Sequence, residues 1–225
     1  MKKAIVIILL VFSCTAAVFS QPISPYNLRN LRFQLEITND IWMNSPENLD
    51  IKSLNRGVNL HLLYNHRFGE SGFAVAAGPG LSSFNLYSNG ILQLNEAGSS
   101  EFWTIPDTIT YNQNKLNLTL LEFPLQISYT MKNHISFSLG GKAGMLISDH
   151  TKFNGSDYLN LDPATPLKVK FHNHPNLMQY RLSAFGSVGY KWINLTCTWH
   201  FTGLFKEDTG PDMFPITIGI LVRPY

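Results

Sequence analysis

The fold follows from the stretch Ile193-Asn-Leu-Thr-Cys-Thr-Trp-His-Phe-Thr202, in which apolar and polar side chains alternate at every residue. A period of two residues predicts a β-strand with one apolar face and one polar face. The same period dominates from residue 31 onward, where no convincing helical stripe appears, so the sequence predicts an all-β protein. Eight segments alternate in this way, and they lie near residues 33–38, 58–65, 73–82, 115–129, 135–145, 178–184, 193–202 and 216–223.

Short and long connections alternate strictly between these segments. An antiparallel meander with short turns at one rim and long loops at the other rim follows from that alternation. Structureless loops of such length argue against a compact soluble domain, whereas a membrane barrel carries them on its extracellular side. The short turns lie at residues 69–72, 131–133 and around 191–192, and the long loops at residues 43–56, 87–114, 148–176 and 204–214.

The composition indicates that the apolar faces meet lipid. Charged residues make up 14% of the chain, well under the roughly 25% of an ordinary soluble domain. The polar faces carry mostly Gly, Ser, Thr, Asn and Gln, a weak coat for a soluble lipocalin-like barrel, which is the alternative architecture. Because every backbone group in lipid must pair, we expect an eight-stranded antiparallel up-and-down transmembrane β-barrel. The formal net charge of +2 excludes a strong electrostatic case for nucleic acid.

Aromatic residues gather toward the ends of the predicted strands, where rings are expected at a membrane interface. Trp42 and Phe201 lie toward the long loops. A second group lies near the short turns and comprises Phe68, Phe73, Tyr129, Tyr190 and Trp192. The two groups predict an aromatic girdle at each edge of the lipid.

The N-terminus predicts export. Two lysines precede a short apolar run, and a cleavage site follows before Gln21, as in a secretory signal peptide. Lipidation at Cys14 is the alternative for this segment. We therefore expect residues 1–20 to be a cleavable signal peptide and residues 21–225 to form the outer-membrane β-barrel domain.

The segment from Lys115 to Tyr129 changes the phase of its apolar residues midway. Its apolar side chains are first Leu116, Leu118 and Leu120, and then Leu121, Phe123, Leu125, Ile127 and Tyr129. One extra residue near Leu120 and Leu121 shifts the phase in this manner, which predicts a β-bulge there. Pro124 lacks an N–H donor, so we also expect a local break in the ladder of hydrogen bonds.

Three short motifs connect the chain to a known group of membrane barrels. They are Leu121-Glu122-Phe123-Pro124-Leu125, the Gly-rich Ala76-Ala77-Gly78-Pro79-Gly80-Leu81 and the closing strand Pro215-Ile216-Thr217-Ile218-Gly219. On these motifs the chain resembles the PorT-like outer-membrane β-barrel family, small eight-stranded barrels of Gram-negative bacteria with an export signal. The resemblance implies a location in the cell outer membrane, and the family includes a secretion-system accessory protein and barrels of unknown role. The C-terminal aromatic Tyr225 is similar to an outer-membrane assembly signal.

The charged residues of the polar faces are expected inside the barrel. An eight-stranded barrel is just wide enough for its own side chains, which argues against a water-filled porin. We predict a mutually neutralising, structural network in the interior that comprises Glu36, Arg67, Glu122, Lys142, Arg181 and Arg223. Counting outward from a pairing of Tyr129 with Ile135 places Glu122 opposite Lys142, and a bulge would leave these two residues diagonal.

Catalytic and metal sites find weaker support in the sequence. His200 lies near Thr198 and Thr202, as in outer-membrane hydrolases with polar groups at the rim, but no serine elbow or paired-carboxylate motif accompanies it. His172 and His174 share one strand face without a specific third ligand. We predict no catalytic residue, no cofactor and no metal ion.

The chain is expected to be a non-enzymatic integral outer-membrane protein that serves as a scaffold, a secretion or assembly accessory, or a surface-recognition protein. The alternative is an outer-membrane lipid A hydrolase, acyltransferase or protease with its site at the extracellular rim. The expected partners are outer-membrane lipid and lipopolysaccharide, the barrel-assembly machinery, and a secretion-system or surface partner at the long loops. The apolar loop residues Trp103, Ile105, Ile109 and Tyr111 are expected to cap the barrel mouth or to form a loop hairpin.

Overall fold

The computed structural model of the protein describes residues 30–160 and 162–223. The chain divides into two compact units, Met1–Leu31 and Arg32–Tyr225, and the second unit carries the barrel. The predicted signal peptide lies outside the described residues. These residues form twelve strands and no helix, so no helix among them is long and apolar enough to cross a membrane. The strands are β1 (Leu31–Met43), β2 (Arg56–Arg67), β3 (Phe73–Ala77), β4 (Gly80–Tyr87), β5 (Gly90–Leu94), β6 (Ser100–Thr104), β7 (Tyr111–Thr130), β8 (Ile135–Asp157), β9 (Asp162–His172), β10 (Tyr180–Tyr190), β11 (Ile193–His200) and β12 (Phe214–Val222).

Eight antiparallel strand positions close into a ring. β3 and β4 share one position, because both pair with β2 on one side and with β7 on the other. The order around the ring is β1, β2, β3 with β4, β7, β8, β10, β11 and β12, and β12 returns to β1. The predicted eight-stranded antiparallel barrel is therefore confirmed. β5 and β6 form a separate hairpin, and β9 extends the sheet beyond the ring by pairing with β8.

The ladder between β7 and its neighbour is interrupted where two prolines lie one position apart across the two strands. β3 ends at Ala77 and β4 begins at Gly80, and the gap between them contains Pro79. The register of the pairs on either side, Ala77 with Leu125 and Gly80 with Glu122, places Gly78 opposite Pro124 and Pro79 opposite Phe123. Proline has no N–H to donate, so the expected break at Pro124 is confirmed.

β7 keeps a single phase from Leu116 to Ser128, so the bulge predicted in this strand near Leu120 and Leu121 is wrong. Every even-numbered side chain from Leu116 to Ser128 is buried in the interior. The inner side chains change from leucines to polar residues along the strand, while the backbone alternation continues unchanged. The apparent phase change in the sequence therefore reflects a change in the barrel interior.

The bulge lies across the pairing, in β8. Thr119 pairs with Ser148 and Leu120 pairs with Leu146, which leaves Ile147 as the extra residue. Even-numbered residues of β8 face inward before this point, and odd-numbered residues face inward after it. The bulge thus reverses the faces of β8 where the strand leaves the barrel.

The four long connections meet at one rim, here called the long-loop rim. Backbone hydrogen bonds join them, from Asn89 to Asp50 at 3.1 Å, from Ser100 to Thr209 at 2.7 Å and from Lys206 to Asn176 at 2.9 Å. The short turns lie at the opposite, short-turn rim, where Arg223 near the end of the described chain donates to the carbonyl of Trp192 at 2.9 Å. The predicted segregation of long and short connections is confirmed, although two long connections contain strands rather than loops.

In the half of the ring toward the short turns, apolar side chains face outward and polar side chains face inward, the reverse of a soluble barrel. Leu139 is 71% exposed on the outer wall, whereas Glu122 is 1% exposed inside. The predicted aromatic residues near the short turns and Phe201 are exposed on the outer wall. Trp42 differs from its predicted place in a girdle, because it is buried and its indole N–H donates to the carbonyl of Asn85 at 3.1 Å.

Candidate functional site

A buried ion pair spans the middle of the lumen. Lys142 Nζ of β8 lies 3.6 Å from Glu36 Oε2 of β1, and both side chains are almost fully buried. Asn59 Nδ2 donates to the same carboxylate at 2.9 Å, and the Thr196 hydroxyl donates to its other oxygen. One ion pair and two hydrogen bonds thus stabilise the charge of Glu36, as a buried carboxylate requires.

Glu122 takes partners other than the expected Lys142. Its Oε2 lies 3.4 Å from His61 Nε2 and accepts a hydrogen bond from Ser82 Oγ at 2.5 Å. In the register of β7 and β8, Glu122 lies opposite Gly144. The predicted direct pair of Glu122 and Lys142 is therefore wrong, and the two residues are diagonal across the ladder.

The turn between β7 and β8 is the physical reason for this register. Met131 donates to the carbonyl of Ile135 at 2.8 Å, so the hairpin closes around residues 132–134. His134 adopts a positive φ of 67°, which suits the last position of a three-residue hairpin loop. Tyr129 consequently pairs with Phe137 and not with Ile135.

Arg181 is the second buried cation of the lumen. Its guanidinium lies 4.6 Å from the centroid of the Phe84 ring. The carboxyl groups of Asp40 and Glu122 attract it electrostatically. Its Nη1 has no hydrogen-bond partner among the described residues. Four of the six predicted network residues (Glu36, Glu122, Lys142 and Arg181) thus lie in this central layer.

The other two predicted network residues lie at the short-turn rim. A polar cavity of about 480 Å³ opens there and is lined by both Arg67 and Arg223. Arg223 is half-buried and donates to Ser138 Oγ at 3.2 Å and to Ser187 Oγ at 3.3 Å. Arg67 is exposed, so it does not belong to a buried network; it is the last residue of β2, where the lumen opens to solvent.

Apolar side chains close the other end of the lumen and form what we call the plug. His200 lies beneath the plug, buried, with its ring edge-on to Phe84 at 5.2 Å and Nε2 3.2 Å from the Thr217 hydroxyl. A catalytic site at the rim cannot include this buried histidine. The plug comprises Trp42, Leu49, Phe84, Leu86, Phe102, Leu116, Leu118, Leu120, Leu177, Leu204, Phe205 and Met213.

One acid–base arrangement lies at the long-loop rim, and its complete form was not expected from the sequence. Asp149 Oδ2 lies 2.5 Å from His174 Nδ1, and Thr151 Oγ1 lies 3.5 Å from His174 Nε2. Asp149 and Thr151 share the inner face of β8 only because of the bulge at Ile147. The cavity beside Thr151 measures about 10 Å³, the space of a single water molecule.

The neighbouring histidines do not assemble a metal site. The rings of His150 and His172 lie 5.6 Å apart, and His172 Nδ1 lies 3.2 Å from the carbonyl oxygen of Asp149. Across residues 30–160 and 162–223, no three His, Cys, Asp or Glu side chains are placed to hold a metal ion.

The β5–β6 hairpin and its neighbours pack around a second apolar cluster at the long-loop rim, here called the rim cluster. It comprises Ile105, Ile109, Phe153 and Tyr158, with Trp103 and Tyr111 packed against it. The rings of Phe153 and Tyr158 meet edge to face at 4.8 Å. Of the two predicted arrangements, the hairpin is present and contains Trp103, whereas Ile105, Ile109 and Tyr111 follow it and pack in the rim cluster.

Comparison with known proteins agrees with this architecture. No curated protein matches the chain. Among solved structures, a match is the crystal structure of Ail, the attachment invasion locus protein of Yersinia pestis, in complex with the heparin analogue sucrose octasulfate. It has a TM-score of 0.41 and 10% identity, and the match covers 86% of this chain and 97% of that one. The family profile described as outer membrane protein beta-barrel domain matches residues 19–205, so the chain belongs to this family and is an outer-membrane β-barrel protein.

Proposed function

We propose that the protein is a non-enzymatic surface-recognition barrel that binds a partner through its long-loop rim. The observation that carries the proposal is that backbone hydrogen bonds join the four long connections, and that the second and third pack together in the rim cluster. A rim that is ordered before binding loses less conformational entropy when a partner docks. The PorT-like resemblance suggests one class of partner, a component of a secretion system. With such a partner the protein would act as a secretion accessory.

The interior of the barrel supports a binding role over a transport role. The plug fills the lumen at the long-loop end, and the pair of Lys142 and Glu36 fills its middle. A solute would have to displace both layers to pass. The packing of the fold thus closes the lumen and orders the rim.

Exposed leucines mark the contact surface of the rim. Leu94 ends β5 with 53% exposure, and Leu159 follows β8 with 62% exposure. Large apolar side chains at the tips of ordered segments are typical of residues that become buried on association. They project from the rim rather than from the lipid-facing wall.

The test uses intact cells that display the protein. Wild type and the variant Leu94→Ser/Leu159→Ser are assayed for attachment to immobilised glycans and extracellular-matrix proteins, with Met131→Ser at the short-turn rim as the control. We expect attachment to at least one probe, reduced at least about fivefold in the double variant and unchanged in the control. Equal attachment of all three proteins, at equal amounts of heat-modifiable barrel, would contradict the proposal.

A hydrolase is the second candidate, and the alignment of Asp149, His174 and Thr151 favours it. In that role Thr151 would be the nucleophile, His174 the base and Asp149 the group that orients the base. Turnover of a short-chain p-nitrophenyl ester or of lipid A by wild type, lost in both Thr151→Val and His174→Gln, would establish it. The small cavity at Thr151 leads us to expect no turnover.

A further inference from the structure

Basic side chains stack side by side across three neighbouring strands above the lipid-facing wall. Three rows run from β7 through β8 to β9, namely Asn117–His150–His172, Lys115–Lys152–Lys170 and Gln113–Asn154–Lys168. Directly paired residues point to the same side of a sheet, and like charges in such positions destabilise it. We name the basic residues of these rows the basic face: Lys115, His150, Lys152, Lys168, Lys170 and His172.

The chain does little to neutralise the basic face. None of the ion pairs within the described part of the chain involves its lysines. Lys115 donates to the neutral Asn85 Oδ1 at 2.9 Å. The carboxylate of Asp149 lies on the opposite side of β8, where it is taken by His174. The row of lysines therefore presents positive charge that no carboxylate of the ion pairs among the described residues neutralises.

The charges of the lysines contribute to a shift in the pKa of one neighbouring residue, His150. His150 lies beyond the apolar part of the wall, in the row next to that of Lys115 and Lys170. Burial, and then the charges of Lys170 and Lys115, lower the pKa of His150 to about 4. Asp149 opposes this shift without cancelling it. The surface is therefore electropositive through its lysines.

The basic face lies on the same outer wall as the lipid-facing residues. Ile147 is the last strongly exposed apolar residue of β8, and His150 and Lys152 follow on that wall. At about 3.3 Å per residue and a tilt of about 40°, His150 lies roughly 8 Å above Ile147, and Lys152 with its partner Lys170 lies roughly 13 Å above it. Lys168 pairs with Asn154 and lies roughly 18 Å above Ile147. The headgroup zone extends about 5–8 Å beyond the hydrocarbon, and a lysine stem reaches several ångströms back toward it.

We propose that the basic face binds the phosphate groups of a phosphorylated glycolipid of the outer leaflet, of the lipid A type. The acyl chains lie against the apolar wall of β7 and β8, and the phosphates accept charge-assisted hydrogen bonds from Lys152 and Lys170. The position directly above the apolar wall favours a membrane lipid over a soluble polyanion. This assignment concerns the outer wall and does not rest on the proposed role of the rim.

The test compares wild type with Lys152→Gln/Lys170→Gln in nanodiscs of neutral phosphatidylcholine, with and without diphosphoryl lipid A. We expect the affinity for diphosphoryl lipid A to fall at least about tenfold in the variant. In neutral lipid alone the variant should melt at the same temperature as wild type or higher, because like-charge repulsion is relieved. Wild type should gain thermal stability from lipid A by mass action, and the variant should gain less.

A second double variant serves as a charge-matched control. Lys132→Gln/Lys191→Gln removes the same charge at the short-turn rim and should bind diphosphoryl lipid A like wild type. Dephosphorylated lipid A should not distinguish the three proteins. Wild-type affinity of Lys152→Gln/Lys170→Gln for diphosphoryl lipid A would overturn the assignment. So would a loss confined to soluble heparin oligosaccharide, which would move the ligand from the membrane to the solution.

Discussion

β7 and β8 exchange the character of their two faces between the barrel and the long-loop rim. Toward the short turns the inner side chains are polar and the outer ones apolar, as Glu122 and Leu125 show. Beyond the bulge at Ile147 the order is reversed, since Leu118 lies inside and Lys152 lies on the outer wall. The same two strands thus follow opposite rules within one continuous ladder.

The difference shows that the surroundings, rather than the strand, determine which face is apolar. In the membrane the wall meets hydrocarbon, so apolar side chains belong outside and polar groups must find partners in the lumen. Above the membrane the wall meets water and headgroups, and the hydrophobic effect returns the leucines to the inside. The plug is the consequence of that return.

The largest expected effect is in the polar half of the interior. Lys142→Met removes the cation beside Glu36 and leaves a buried carboxylate without its counter-charge, which should lower the free energy of unfolding by about 3–5 kcal/mol. Adding Glu36→Gln should recover part of the loss. Urea unfolding in phospholipid vesicles, followed by heat-modifiable migration, measures both variants.

The matched control for that variant is Lys170→Met on the basic face. An exposed lysine in a like-charged row should tolerate the change within about 0.5 kcal/mol in neutral lipid. If Lys142→Met and Lys170→Met were equally harmless, the lumen would be hydrated and the contrast between the two halves would fail.

Two leucines of β7 allow the packing of the plug to be compared with that of the lipid-facing wall. Leu118→Ala in the plug should cost about 2–5 kcal/mol, because the transfer term and a cavity term add. Leu125→Ala, on the lipid-facing wall, should cost roughly 1–2 kcal/mol less, since mobile acyl chains fill the space. Equilibrium unfolding of both variants in the same vesicles gives the difference. Equal losses would show that the plug is not packed as a protein core.

Two tryptophans on opposite faces offer a smaller contrast. Trp42→Phe removes the hydrogen bond to the Asn85 carbonyl inside the plug and should cost about 1 kcal/mol. Trp199→Phe changes a lipid-facing ring that is 57% exposed and should cost less. Trp42 should also resist quenching by brominated lipids that quench Trp199. Quenching of Trp42 would place it on the wall and contradict the inward orientation.

The smallest effect concerns His150, on the outer face of the upper half. Its pKa of about 4 in the folded protein lies below the ordinary value of 6.5, so the unfolded chain binds the proton more readily. Its contribution to stability is therefore present above pH 6.5 and is lost as the pH falls toward about 4. Histidine NMR titration should show this low pKa, and Lys170→Gln should raise it. A pKa near 6.5 in both proteins would remove the evidence for an unscreened lysine row.

Local alternation was enough to predict much of the molecule. The two-residue period, the strict order of long and short connections and the scarcity of charge predicted eight antiparallel strands with a polar lumen. These features depend on backbone geometry and on side-chain solvation, both of which act over a few residues. The burial of Glu36, Lys142 and Arg181 agrees with that reasoning, whereas Arg67 lies too near the open end of the lumen to be enclosed.

Pairing partners and the change of faces required the closed ring. Glu36 meets Lys142 because β1 and β8 face each other across the lumen, a relation that adjacent-strand counting does not contain. The turn with His134 at positive φ sets the register that separates Glu122 from Lys142, and the bulge at Ile147 lies in the strand opposite the apparent phase change. Alternation along a strand specifies two faces, but whether lipid, water or another side chain lies beyond each face is a property of the assembled barrel.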